Sequence, residues 1–173
     1  IVIASYAAGA SRSFIYIRGE YEEPARALEQ ALSEAREAGY IGERILGSGH
    51  SLSLVLHHGA GAYICGEETA LLDSLEGKRG NPRLKPPFPA NQGLYQGPTL
   101  VNNVETLSNV PHIIRMGAKA WAEHGVQNST GTKVVSVSGC VRNPGNFEIE
   151  LGIPTRDLIM GLAGGPREGC TIK

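Results

Sequence analysis

Apolar and polar positions along the chain alternate between two textures. Residues 14–18 (FIYIR) form a short run of aromatic and branched side chains between a serine and a glycine, the pattern of a buried strand. The spacing then becomes helical. Leu28, Ala31, Leu32 and Ala35 recur on one face, Pro24 suits the first turn, Glu22 and Glu23 suit its electropositive end, and Gly39 offers a C-terminal cap. After a glycine-rich turn (GSGH), residues 52–56 (LSLVL) read as a second strand. Strand, helix, strand in that order favours a parallel pair joined by a right-handed crossover. Residues 59–66 then form a glycine loop that feeds a helix over 67–75.

The later part of the chain changes character twice. Residues 78–98 hold five of the ten prolines, so they predict an ordered surface loop or clamp. A helix is expected from Val104 to Met116, with Asn103 placed to cap it, Pro111 expected to kink or divide it, and Gly117 to end it. From Gly131 the chain reads as strand (KVVSVSG), turn (VRNPGN), strand (FEIEL) and a short helix beginning at Thr155. These textures place a boundary near residues 128–132, with an α/β domain over 1–130 and a partial small α+β unit over 131–173.

Charge narrows the classes. With 16 basic and 17 acidic residues spread along the chain, the net charge of −1 gives no pull toward nucleic acid or an anionic membrane. No apolar stretch approaches the roughly 20 residues of a membrane span. The opening IVIASYAAGA lacks the pattern of a signal peptide and reads as a chain entered partway through. Cys65, Cys140 and Cys170 form no CxxC pair, which argues against a zinc ribbon, a thioredoxin-type centre or a complete iron–sulfur site, and a reducing cytoplasmic setting fits them.

Three segments carry candidate chemistry. In GAGAYICGEE, glycines at 59, 61 and 66 let a ligand approach the backbone while the next helix turns its N-terminus toward the same place. The alternative is a tight strand-to-helix turn in which Glu67 and Glu68 only favour the helix dipole. Lys78, Arg79, Arg83 and Lys85 crowd positive charge into a short loop, enough to attract a phosphate, and each taken singly also fits a solvated basic surface. Phe88, held between prolines, can stack on a planar ring or anchor the loop. In VNNVET, Asn102 and Asn103 offer bifunctional amides at a helix start, with Glu105 and Thr106 on the first turn; a simple N-cap explains one asparagine and leaves the other over.

The stretch GAGAYICGEETALLDSLEGKRGNPRLKPPFPANQGLYQGPTLVNNVETLSNV closely resembles the core of the flavoprotein subunits of respiratory complex I, the family of bacterial NADH-quinone oxidoreductase F subunits. The similarity runs upstream through FIYIRGEY and downstream through GTKVVSVSGCVRNPGNFEIELGIPTRDLI and GGPREG. It implies an incomplete parallel-sheet, flavin- and NADH-binding α/β domain followed by a partial ubiquitin-like β-grasp (SLBB) domain. It further implies that Tyr63, Gly66, Glu67 and Glu68 line the FMN site, with both carboxylates close to flavin and nicotinamide, and that Val101, Asn102, Asn103 and Thr106 hold the ribityl chain and phosphate. Lys85, Phe88 and Glu68 would engage NADH. The family's upstream glycine-rich segment, its acidic adenosine-ribose loop and the cysteines of its 4Fe-4S cluster do not match any stretch of this chain, and are expected before Ile1 and beyond Lys173. Cys140 and Cys170 do not match those cluster ligands.

The resemblance therefore implies an NADH dehydrogenase module of complex I: hydride transfer from NADH to FMN, then single electrons to iron–sulfur centres toward quinone. The implied partners are NADH, the 2Fe-2S-carrying subunit and other peripheral-arm subunits, with no nucleic acid and no membrane insertion. The implied place is cytoplasmic, peripheral on the inner membrane. Two other readings stay open at this point. One is a diaphorase subunit of a soluble NAD-reducing hydrogenase or formate dehydrogenase; the other is a non-catalytic interaction module.

Overall fold

The computed structural model describes residues 1–172, which divide into two compact units, Ile1–Asn103 and the residues from Val104 onward. The first is an α/β unit built on a parallel strand pair. Strands β1 (Arg12–Ile17) and β2 (Ser53–His58) pair in parallel with Ile15 opposite Leu56 and Ser13 opposite Leu54. Helix α2 (Glu22–Glu37) connects them. Its buried Ala25 and Leu32, with the partly buried Leu28 and Ala35, repeat at the three- and four-residue spacing that keeps one face on the strands. Gly39 takes a left-handed φ of 74°, and the Tyr40 N–H reaches back to the Ala35 carbonyl at 2.8 Å, ending the helix as a Schellman-type turn.

Two parts of this unit are richer than the sequence pattern predicts. Residues 40–51 do more than turn. Ile41 and Ile45 enter the core beside Ile15, Leu32, Leu52 and Leu54, and Gly42 and Leu52 exchange backbone hydrogen bonds at 3.1 and 2.9 Å. The opening residues form a helix, α1 (Val2–Ala8), that the sequence reading passes over. Gly9 at φ 69° ends it, Val2 packs on the core, and the buried Ser5 hydroxyl meets that of Ser13 at 2.9 Å. Seven residues are too few to hold a helix alone, so packing rather than local propensity makes α1.

The strand ends converge on the glycine loop. The Gly59 N–H donates to the Ile17 carbonyl at 2.7 Å. A Cβ built on Gly19 would lie 2.3 Å from the Gly59 carbonyl oxygen, so the two backbones meet only because Gly19 has no side chain, while one on Gly59 would strike the Tyr16 ring. Beyond the loop comes α3 (Glu68–Leu75), which buries Thr69, Ala70 and Leu72.

The second unit opens with α4 (Val104–Met116). Of the two effects expected of Pro111, a kink or a division, the helix is not divided: Pro111 lies inside it. The ring removes one hydrogen bond, and at an exposed position the deprived carbonyl can turn to water. Gly117 at φ 88° ends α4, and a short helix α5 (Ala118–Trp121) leads into a tight hairpin, β3 (Gly125–Val126) with β4 (Ser129–Thr130), turned by Asn128 at φ 69°. The antiparallel pair β5 (Thr132–Val137) and β6 (Gly145–Glu150) follows. The chain then forms α6 (Thr155–Asp157), which widens into a π turn over Leu158–Leu162. Strand, turn, strand and short helix thus occur in the expected order from Gly131. The compact-unit division falls earlier, between Asn103 and Val104, and places α4, α5 and the small hairpin with this second unit.

Candidate functional site

The loop after β2 places its chemistry by self-capping. Tyr63–Gly66 form a 3-10 turn that buries Cys65, and a Cβ on Gly80 would sit 2.5 Å from the Cys65 sulfur, so the turn is packed directly against the start of the proline-rich loop. Glu67 is the N-cap of α3. Its Oε2 accepts from the Thr69 N–H at 2.9 Å, the Ala70 N–H at 3.0 Å and the Thr69 hydroxyl at 2.5 Å. Burial would raise the Glu67 pKa, but the Thr69 hydroxyl, the Ala70 N–H and Lys85 together outweigh it and hold the carboxyl at about 2. The first-turn donors of α3 are therefore engaged by the protein's own carboxylate, and the helix start is not the open anion site that the sequence pattern suggests.

Glu68, one residue on, is free of the cap. Lys85 Nζ joins the two carboxylates, 2.5 Å from Glu68 Oε1 and 3.2 Å from Glu67 Oε1, and the Glu68 contact leads the causes that raise the lysine's pKa. All three side chains are about one-third exposed, so the cluster adds well under about 1 kcal/mol to stability. Its consequence is electrostatic: Glu67 is ionised near neutrality, and Glu68 and Lys85 remain partly reachable from solvent.

The proline-rich loop is held by a second charged knot. Arg83 donates from Nε to Asp73 Oδ1 at 2.8 Å and from its terminal nitrogen to the Gly93 carbonyl at 3.0 Å, and it lies 2.9 Å from Glu76 Oε1. Glu76 also meets Lys78 Nζ at 2.6 Å and accepts from the Tyr95 N–H at 2.8 Å; led by the Lys78 contact, these hold its carboxyl at about 2 despite burial. The Arg83 N–H donates to Thr69 Oγ1 at 2.8 Å, so the same threonine that braces Glu67 also fixes the loop. Of the four basic residues expected to draw phosphate, Lys78 and Arg83 are thus committed to the fold and Lys85 to the carboxylate pair. Arg79 alone makes no ion pair among the described residues.

The remaining candidates lie open. Tyr63 is 90% exposed and Phe88 55%, large apolar rings that the interior does not claim. A Cβ on Gly66 would meet nothing within 4 Å, so the backbone there is bare, directly ahead of Glu67 and Glu68. Two exposed rings, a bare backbone and a pair of carboxylates suit a planar, hydrogen-bonding ring system such as a flavin or nicotinamide. Val101, Asn102 and Asn103 are exposed at the end of the first unit, while Thr106 sits on the first turn of α4 in the second. Thr69 is the supporting residue that sequence reasoning missed, its only signal a threonine two places after Glu67, and Arg83, named there for drawing phosphate, instead braces the loop. Among the described residues no three His, Cys, Asp or Glu side chains gather as a metal site, and no helix is long and apolar enough to cross a membrane.

A parallel α/β unit that delivers a glycine loop and a capped carboxylate pair beyond its strand ends has the layout of a nucleotide- or flavin-binding module. Residues 1–112 match the family described as the Nuo51 FMN-binding domain, and the chain belongs to that family. It is 53% identical over 173 residues to an NADH-quinone oxidoreductase F subunit of Rhizobium meliloti and 54% identical to the corresponding F subunit of Streptomyces coelicolor, in both cases over the whole chain. It spans about two fifths of the length of these relatives, 41% and 38%. Among solved structures, an NAD+-reducing [NiFe]-hydrogenase in the air-oxidized state matches 95% of this chain and 27% of its own, with 40% identity and a TM-score of 0.83.

Proposed function

We propose that the polypeptide containing this chain is the NADH-oxidising, FMN-binding subunit of a respiratory complex I, acting as an NADH dehydrogenase. FMN, when bound, supplies the chemistry: it accepts a hydride from NADH and releases electrons singly. The chain's share is to hold, orient and tune. The reading rests above all on the bare Gly66 backbone directly ahead of a carboxylate pair joined by Lys85.

In this reading Tyr63, Gly66, Glu67 and Glu68 line the FMN site, with Glu67 fixing the local negative charge and both carboxylates close to the flavin and the nicotinamide. Lys85 and Phe88 engage NADH, the phenyl ring stacking on adenine. Val101, Asn102, Asn103 and Thr106 hold the ribityl chain and phosphate through neutral donors and acceptors. No side chain here needs to act as a nucleophile, because stacking two rings at reacting distance already removes much of the barrier. Residues 131–173 are read as the start of an SLBB β-grasp domain, supported by the strand, turn, strand and helix order of β5, β6 and α6. A 4Fe-4S cluster in the parent polypeptide, partners including a 2Fe-2S subunit and other peripheral-arm subunits, and a place on the cytoplasmic face of the inner membrane belong to the same reading. Cys65, Cys140 and Cys170 take no part as cluster ligands.

Glu68→Gln and Phe88→Ala in the full-length subunit, expressed with its electron-accepting partner, test the assignment. NADH-dependent ferricyanide reduction should fall at least about tenfold for Glu68→Gln, and the KM for NADH should rise for Phe88→Ala with FMN content unchanged. Unchanged kinetics in both would remove these residues from the site. The hydrogenase likeness supports one further reading, a diaphorase subunit of a soluble hydrogenase, which uses the same residues. Co-purification with a nickel–iron hydrogenase subunit rather than with quinone-reducing subunits would favour it.

A further inference from the structure

Cys140 and Cys170 are far apart in sequence but belong to one knot of backbone hydrogen bonds in the second unit. Residues 140–143 and 163–167 run antiparallel: the Arg142 N–H donates to the Gly165 carbonyl at 2.9 Å, the Asn143 N–H to Ala163 at 3.0 Å and the Arg167 N–H to Cys140 at 3.0 Å. Val141 bridges Pro166, and Arg167 Nε donates to the Val141 carbonyl at 2.9 Å. The Cys170 N–H then turns back to the Arg167 carbonyl at 3.0 Å. Val141 and Ala163 are buried beneath this pairing, which fixes both cysteine backbones in place. Cys140 is exposed and Cys170 half-buried, and both are free thiols. Arg167 donates its N–H to the Cys140 carbonyl and accepts from the Cys170 N–H, so a single residue brings the two cysteines together, and the neighbouring Cys140 thiol pushes the Cys170 thiol above its ordinary range.

We propose that Cys140 and Cys170 are a redox-active dithiol that closes to an intramolecular disulfide under hydrogen peroxide and reopens with a thiol reductant. Exposure sets the order of events. The Cys140 thiolate attacks one peroxide oxygen, the O–O bond breaks, and the departing hydroxide takes up the thiol's proton as water, leaving Cys140 as a sulfenic acid. The Cys170 sulfur then attacks the Cys140 sulfur and displaces its hydroxyl, which leaves with the Cys170 proton as a second water. In sum two thiols lose two electrons and two protons, and one peroxide becomes two waters. A dithiol reductant reverses the bond by exchange. The closed form ties the turn after β5 to the segment beyond the π turn, and so stiffens the second unit without reference to flavin or NADH.

Sequence makes the test direct, because trypsin cuts after Lys133, Arg142 and Arg167 and leaves Cys140 and Cys170 on separate short peptides. The full-length subunit in its native assembly is reduced, treated with a small molar excess of peroxide, quenched with N-ethylmaleimide, digested and weighed. A cross-linked 134–142/168–173 pair, lost on reduction, is expected, while the buried Cys65 stays a free thiol that alkylates on unfolding. Cys170→Ser should abolish the cross-link and leave a sulfenic acid at position 140 that dimedone traps. Recovery of both peptides with free thiols, with separate sulfinic acids, or bridged to other cysteines would overturn the proposal.

Discussion

Glu67 and Glu68 are neighbours with different physical tasks. Glu67 spends one oxygen on three donors and so is a structural charge. Glu67→Gln should cost about 1 kcal/mol, as the loss of a charged N-cap does, whereas Glu68→Gln should stay within about 0.5 kcal/mol, both read by urea unfolding. A pH scan tests the same assignment. Glu67 and Glu76 both sit at about 2 in the folded protein against an ordinary 4.5, so the unfolded chain binds more protons between those values. Their stabilisation is complete above about pH 4.5 and is lost as the pH falls toward 2. The melting temperature should therefore drop across that window, and Glu76→Gln should flatten the slope; a Glu76→Gln profile that overlays the parent would contradict it. The pairing of Glu67 with Thr69 was not legible in the sequence. A Glu-Glu-Thr run says that a helix begins, but which carboxylate turns inward is decided by the packing of the buried threonine and by the Arg83 backbone that reaches it.

At the scale of elements, the proline-rich loop is an ordered clamp because Arg83 pins it to α3. Arg83→Ala leaves Asp73 without its cation and Glu76 with Lys78 alone, and should cost about 2–3 kcal/mol, with faster proteolysis within residues 78–98. Unchanged stability would show the knot to be incidental. Leu32→Ala, removing the buried centre of α2, should cost roughly 2–4 kcal/mol by urea unfolding. The elements whose apolar spacing runs unbroken were readable: β1, α2, β2, α3 and α4 all lie within a few residues of where the pattern puts them. Those that depend on distant contacts were not. The helix α1 needs the core beneath Val2 and the Ser5–Ser13 contact, Ile41 and Ile45 look like loop residues until Leu52 closes over them, and the two-residue strands β3 and β4 are too short to leave a pattern. The basic loop misled for the same reason: charge counts along a chain do not show which acids α3 brings to meet them.

On the scale of the molecule, two compact units divide the labour, the first carrying the glycine loop and the carboxylate–lysine cluster, the second carrying the antiparallel pair and the cysteine knot. The match to the Nuo51 FMN-binding domain over residues 1–112 covers the first unit and the first part of α4. The fixed negative charge of Glu67, a carboxylate held at about 2 and so ionised near neutrality, supports the proposal that this chain lines a flavin and NADH site. An anaerobic titration of the full-length subunit with NADH, purified with its electron-accepting partner and followed by flavin absorbance, tests this most directly. Near-stoichiometric FMN that bleaches within mixing time on one equivalent of NADH is the predicted result; a folded protein that carries no flavin, or whose flavin NADH leaves oxidised, would contradict it.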